Sequence, residues 1–386
     1  MDDAVRKRKE LREQLLGHSR GSLGQLTEDE EWWAAHQPWL ESCGYILRQR
    51  YRPGWEASWH ESRKELLDCE DHLAISYWFL LDATRASDGQ PVIFKRINVM
   101  QFPDEVEVTS MLSSPHLAAD PRNRCVPCLE VLRVPNEDNL SIIVLPLLRD
   151  YADPRFDTVG EVVDCLGQIL ECVQFLHDHH IAHRDIKSGN IMVDASNMYP
   201  RPFHPLDQTM RADWRGRARH FSRTERPVRY HLIDFGLSTD FEATEPPYLD
   251  YPVWGGYKTV PEFQGDGYYK QYDPFPTDVY YLGTWIRQDF LDGIFGGENN
   301  NLVVTSKRLG LEFLRPLVNE MTREDPAARP SIDEVMDKFN ALLRSRVAKE
   351  NDHPLYSMYL SVTHWCRRLK LVATRRPAIP CPDGTR

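Results

Sequence analysis

The sequence predicts an α+β protein of two lobes, a small strand-rich first lobe and a larger helical second one. Three observations predict it. Apolar and aromatic runs bounded by turn residues recur between residues 75 and 145, as strands do. Val162, Leu166, Ile169, Val173 and Leu176 then keep the i, i+4, i+7 spacing of an amphipathic helix. That helix leads directly into a polar loop, His183-Arg-Asp-Ile-Lys-Ser-Gly-Asn190. A chain of 386 residues has room for two such lobes and a tail.

Composition narrows the class. Hydrophobic content of 41% with 27% charge is ordinary for a folded globular chain. The net charge of −11 argues against non-specific nucleic-acid binding. No apolar run reaches the eighteen or so residues of a membrane span. The start, Met1-Asp-Asp followed by Arg6-Lys-Arg-Lys9, has no apolar core of the kind a signal peptide carries. Cys125-Val-Pro-Cys128 has the spacing of half a zinc site, but no second pair completes it. The eight cysteines read as reduced thiols of a cytoplasmic or nuclear protein.

In chain order, residues 1–58 read as an extension, polar and partly flexible up to about residue 26. Its second half holds Trp32, Trp33, Trp39 and Trp55, with Trp59 just beyond, a density that suits packing against the first lobe. Residues 59–148 read as that lobe. Ile75–Leu81 is taken as its first strand and Pro91–Ile97 as the next, joined by an Asp88-Gly89 turn; the glycine can take the left-handed backbone such turns require. Asp104–Leu112 reads as a helix, and Cys128–Leu132 and Leu140–Leu145 as two further strands. Residues 149–345 read as the second lobe. It carries an insertion at about 195–230 that holds eight arginines between Arg201 and Arg229. That tract could dock a partner, pair with a phosphate, or stand as a solvated loop. Residues 346–386 read as a tail.

The loop at 183–190 matches the pattern H-R-D-x-x-x-x-N, and Asp234-Phe-Gly236 and Pro261-Glu262 follow in the same order as in that motif set. On these residues the chain resembles the eukaryotic protein kinase family over roughly residues 75–345. The Tyr51-Arg-Pro-Gly-Trp55 and Asn123-Arg-Cys-Val-Pro127 segments are also similar to kinase-like proteins of mushroom-forming basidiomycete fungi. The family resemblance implies ATP and Mg²⁺ as cofactors and a protein hydroxyl, serine or threonine, as acceptor. It assigns Asp185 to accept the hydroxyl proton, Lys187 to steady the γ-phosphate, and Asn190 and Asp234 to hold metal. Lys95 falls at the position that contacts the α- and β-phosphates. Its expected partner is Glu107, with Glu105 as the competitor because helix register is not fixed by sequence. Backbone groups at Pro146 and Leu147 would meet the adenine edge. Asp278 would anchor the catalytic-loop backbone, and Arg329 would pair with Glu262.

Two departures from the family stand out. No glycine lies between Glu56 and Asp88, so G-x-G-x-x-G, the loop that covers the phosphates, is missing. Gly255 stands where the family has a threonine bonded to the catalytic aspartate and lysine. A pseudokinase scaffold is therefore the alternative reading. Finally, Arg184 precedes the catalytic aspartate, and Asp250 near the usual phosphorylation site is expected to supply the charge that Arg184 needs.

Overall fold

The computed structural model describes residues 24–61, 64–253, 257–295, 303–305, 310–350 and 379–380. Gly255, Trp365 and the first 23 residues lie outside the described residues. The chain divides into two compact units. One comprises the chain up to Ile97 with Leu129–Leu147 and Arg201–Arg219; the other comprises Asn98–Cys128, Leu148–Pro200 and the chain from His220. One is built on a sheet and the other is mainly helical, the α+β organisation expected from the sequence. Among the described residues no helix is long and apolar enough to cross a membrane.

The first unit holds a five-stranded sheet in the order β1-β2-β3-β5-β4: Tyr45–Leu47, Leu80–Arg85, Pro91–Asn98, Leu140–Pro146 and Glu130–Arg133. Strands β2 and β3 form the expected hairpin, with Leu80 opposite Lys95 and Gly89 in the turn at φ +71°. The first strand is not Ile75–Leu81. It is Tyr45–Leu47, antiparallel to β2 with Ile46 opposite Thr84, inside the segment read as an extension. Helix α1, Glu28–Ser42, precedes it, started by a capping box between Thr27 and Glu30. Glu30, Trp33, Gln37 and Leu40 recur every three or four residues on its buried face. Trp33 stacks on Phe94 of β3 at 6.1 Å, and Tyr45 meets the same ring edge-on at 5.1 Å. The tryptophan-rich stretch thus completes the core of this unit instead of extending from it.

Moving the first strand to residue 45 makes residues 48–79 the connection between β1 and β2. This connection is ordered around buried charge. Arg50 is 2% exposed and grips Glu30, 0% exposed, through two hydrogen bonds of 2.7 and 2.8 Å. Tyr51 donates to the same carboxylate at 3.0 Å. Arg48 reaches back to Asp82 of β2 at 2.9 Å and to Glu70 at 3.0 Å. Asp71 accepts from the Trp55 indole at 3.0 Å and from the Ser58 hydroxyl at 2.6 Å.

The arginine-rich insertion is only partly the solvated loop that was one of its readings. Residues 201–219 belong to the first unit. Phe203 and His204 are buried there, and the His204 Nδ1 accepts from the Leu206 and Asp207 amides, which leaves Nε2–H to donate to Glu70 at 3.0 Å. Trp214 packs edgewise on His72 and His204. Arg215, Arg217 and Arg219 stay exposed.

Burial alone would raise the Glu30 and Glu70 carboxyls. The hydrogen bonds and charge of Arg50 for Glu30, and the hydrogen bond from His204 with the charge and hydrogen bond of Arg48 for Glu70, outweigh it and hold both below their ordinary 4.5. A carboxyl whose pKa falls on folding adds stability that is fully present above the unfolded value and withdrawn as pH falls through the folded one. Chemical unfolding followed from about pH 6 down to about pH 3 should therefore show stability lost on the acid side. Glu30→Gln should weaken the protein at neutral pH yet flatten that acid limb. An unchanged limb would remove Glu30 as its source.

In the second unit, helix α3, Val159–Asp178, starts at the Thr158 cap, whose hydroxyl accepts from the Glu161 amide at 3.1 Å. It is buried around nearly its whole circumference, so it is a central helix and not the half-exposed one its periodicity suggests. Helix α2 (Pro103–Leu112) precedes it, and α4 (Pro274–Ile286), α5 (Arg315–Met321) and α6 (Ile332–Glu350) follow. Strands β6 (Arg149–Asp150), β8 (Ile191–Asp194) and β9 (Arg229–Leu232) form a small antiparallel sheet, and β7 (Ile181–Ala182) pairs with β10 (Thr239–Asp240). The chain between β8 and β9 is the insertion. Its last part is anchored in this unit: Arg223 is buried and donates to the Tyr151 carbonyl at 2.8 Å, and Thr224 donates to Glu161.

Candidate active site

The loop from β7 to β8 carries the polar cluster. Its backbone is fixed from below by Asp278 of α4, whose carboxylate accepts from the amides of His183 and Arg184, each at 2.7 Å. His177, at the end of α3, lies 3.2 Å from the same carboxylate, whereas His179 turns back to the Phe175 carbonyl at 2.8 Å. Arg184 takes φ +67°, a left-handed conformation that costs about 1–3 kcal/mol for a non-glycine residue. The two amide bonds to Asp278 hold it there. Ser238 adds a third tie by donating to the His183 carbonyl at 3.1 Å.

Held this way, the loop gathers three of the residues singled out in the sequence. The Asp185 Oδ2 accepts from Lys187 Nζ at 2.7 Å and from Asn190 Nδ2 at 2.8 Å. The Asn190 amide also donates to the Asp185 carbonyl at 2.8 Å, so its NH₂ is committed and its oxygen is the group left to ligate. Asp185 is buried, while Lys187 is partly exposed. Just after strand β9 the Ile233 amide donates to the Asn190 carbonyl at 3.0 Å, which ties the start of the Asp234 turn to the loop. Asp234 has φ +69°, and Phe235 behind it is buried against His183, ring centroids 5.1 Å apart.

Helix α2 corrects the expected register. Glu107 is exposed, and Glu105, 4% exposed, is the inward carboxylate. A Cβ built on Gly236 would stand 2.9 Å from its Oε2, so glycine leaves room for the carboxylate against the Asp-Phe-Gly turn. The helix begins at Pro103, and Glu105, Val108, Thr109 and Leu112 form its buried stripe. Lys95 lies on β3 and Pro146 ends β5, both in the first unit, which also ends a segment at Leu147.

Beyond the Asp234-Phe-Gly236 turn, the Arg184 guanidinium donates to Asp250 Oδ2 at 2.7 Å, to Thr239 Oγ1 at 2.6 Å and to the Tyr251 carbonyl. Sequence reasoning named the Asp250 contact and missed Thr239, which carries no signal of its own. Farther on, Arg329 forms a two-pronged pair with Glu262 at 2.7 and 2.6 Å, buried at 0% and 4% side-chain exposure. Thr277 donates to the same glutamate at 3.1 Å.

Residues 146–339, just over half of the chain, match the family model of the protein kinase domain, and the chain belongs to the protein kinase family. It is 28% identical over 279 residues to a light-sensor protein kinase of Ceratodon purpureus, covering 66% of this chain and 20% of that protein. It is 23% identical over 213 residues to a putative serine/threonine-protein kinase of Acanthamoeba polyphaga mimivirus, covering 50% and 63%. It is 24% identical over 286 residues to the serine/threonine-protein kinase pim-2 of Danio rerio, covering 65% and 76%. The chain therefore spans less than two thirds of the length of the first two of these relatives.

Proposed function

We propose that this protein is an ATP- and Mg²⁺-dependent protein kinase that phosphorylates serine or threonine hydroxyls. The observation that carries the reading is the Asp185 carboxylate held by Lys187 and Asn190 on a loop clamped by Asp278. Phosphoryl transfer asks for positioning and charge neutralisation more than covalent help. Asp185 accepts the proton of the attacking hydroxyl, and Lys187 beside it steadies the phosphoryl group in flight. Asn190 and Asp234 offer hard oxygen donors that would hold Mg²⁺, and the ion would offset the charge of the phosphates. Lys95 is assigned to the α- and β-phosphates, with Glu105 taking the place of Glu107 in that assignment. Pro146 and Leu147 are assigned to the adenine edge. The Glu262–Arg329 pair suits a segment that presents a protein substrate. Exposed Arg215, Arg217 and Arg219 leave the insertion able to dock a partner, and the free thiols suit a cytoplasmic or nuclear site of action.

One observation favours the scaffold alternative. The β1–β2 connection stands, in chain order, where the family keeps its glycine flap, yet it contains Gly54 alone and is pinned by Arg48 and Arg50. Thermal unfolding with and without Mg·ATP separates the two readings. Nucleotide at a hundred times its dissociation constant should stabilise the protein by about 2.7 kcal/mol. The shift should require magnesium and vanish in Asp234→Ala. No shift at millimolar nucleotide would favour the scaffold.

A further inference from the structure

We propose that Asp250 is a positioning residue that fixes the catalytic loop through Arg184, so that this protein needs no phosphate on its activation segment, the stretch of sequence from Asp234 to Glu262. The proposal rests on the kinase reading only for its effect on turnover; the structural link stands apart from it.

The Arg184 guanidinium is largely withdrawn from solvent and lies next to the catalytic Asp185, so its charge needs a partner. The chain supplies one itself. Asp250 Oδ2 sits 2.7 Å from Nη1, Thr239 Oγ1 lies 2.6 Å from the same nitrogen, and the Tyr251 carbonyl accepts from Nη2. Thr239 also donates to Asp250 at 3.2 Å, so hydroxyl, carboxylate and guanidinium form a closed set. The carboxylate is placed by its own backbone: Asp250 and Tyr272 exchange amide bonds of 3.0 and 2.9 Å, and Asp250 Oδ1 accepts from the Tyr251 amide at 2.7 Å. The chain's own carboxylate therefore already supplies Arg184 with the anionic partner that a phosphate would otherwise provide. The strained residue is thus reached from β10, from residues 250 and 251, and from α4 through Asp278.

The test compares the full chain after phosphatase treatment, verified phosphate-free by mass, with the untreated chain, and adds Asp250→Ala and Asp250→Glu. The expected result is turnover insensitive to phosphatase. Asp250→Ala should lower kcat by on the order of 10- to 100-fold with KM for ATP unchanged, a size typical of lost positioning. Asp250→Glu, which keeps the charge, should recover part of it. Loss of turnover on dephosphorylation, or an Asp250→Ala enzyme as fast as the parent, overturns the proposal. Hydrogen exchange decides the case even if no form turns over, an outcome that would sink the kinase reading alone. Faster exchange at residues 183–185 and 272 in Asp250→Ala supports the link, and unchanged exchange overturns it.

Discussion

Asp185→Asn is expected to lower phosphoryl transfer by about 10²- to 10⁴-fold, the range that a positioned general base contributes. The substitution keeps an oxygen able to accept from Lys187 and keeps the size of the side chain, so the loop bonded to Asp278 should retain its form. Its unfolding midpoint and its Mg·ATP-dependent stabilisation should both stay close to those of the parent. This separation matters because Asn190 donates to Asp185 through both the carbonyl and the carboxylate. A larger change such as Asp185→Ala would release Asn190 as well and blur the assignment. Incorporation of labelled phosphate into a mixed protein acceptor, measured for parent and variant at equal nucleotide saturation, gives the ratio. Equal rates would show that the hydroxyl proton leaves by another route, and Asp185 would lose its role.

The parts of the molecule that were legible in the sequence are those whose partners lie close along the chain or within a recurring pattern. His183 to Asn190 is one short loop, and its internal bonds span five residues or fewer. The Glu262–Arg329 pair was legible because both residues sit in motifs of fixed order, although 67 residues separate them. Strand β1 was not. Three residues, Tyr45–Leu47, give no usable alternation, and they become a strand only because β2 offers an edge and α1 covers one face. The apolar-aromatic run at 75–79 looked more strand-like and forms a turn ahead of β2 instead. Glu105 and Glu107 could not be told apart because two residues shift a helix face by most of a half-turn, and only the packed stripe of α2 sets the phase. The docking of the insertion was hidden for a further reason. His204 finds Glu70 across 134 residues, and nothing local to either marks the other.

Arg50→Met is expected to cost about 3–5 kcal/mol of stability, because it leaves the Glu30 carboxylate buried with its charge uncompensated. Geometry sets the size. Arg50 and Glu30 are 2% and 0% exposed on their side chains, so water cannot replace the lost partner. By contrast the Arg85–Asp88 pair in the β2–β3 turn is open to solvent, and Arg85→Met should leave stability close to that of the parent. Arg50 also donates to the Asp71 and Gln25 carbonyls, so the substitution frees one end of the β1–β2 connection from α1. Adding Glu30→Leu to Arg50→Met should return part of the loss, since removing both charges costs less than stranding one. The recovery should be incomplete, because Tyr51 loses its acceptor and the capping box of α1 loses its glutamate. Urea unfolding of the four forms measures the cycle, and hydrogen exchange over residues 48–79 reports whether the connection loosens. A single-variant cost under about 1 kcal/mol, in the range of exposed pairs, would mean that the connection is held in place by its aromatic packing. In that case the buried charges would be incidental to the ordering of the β1–β2 connection.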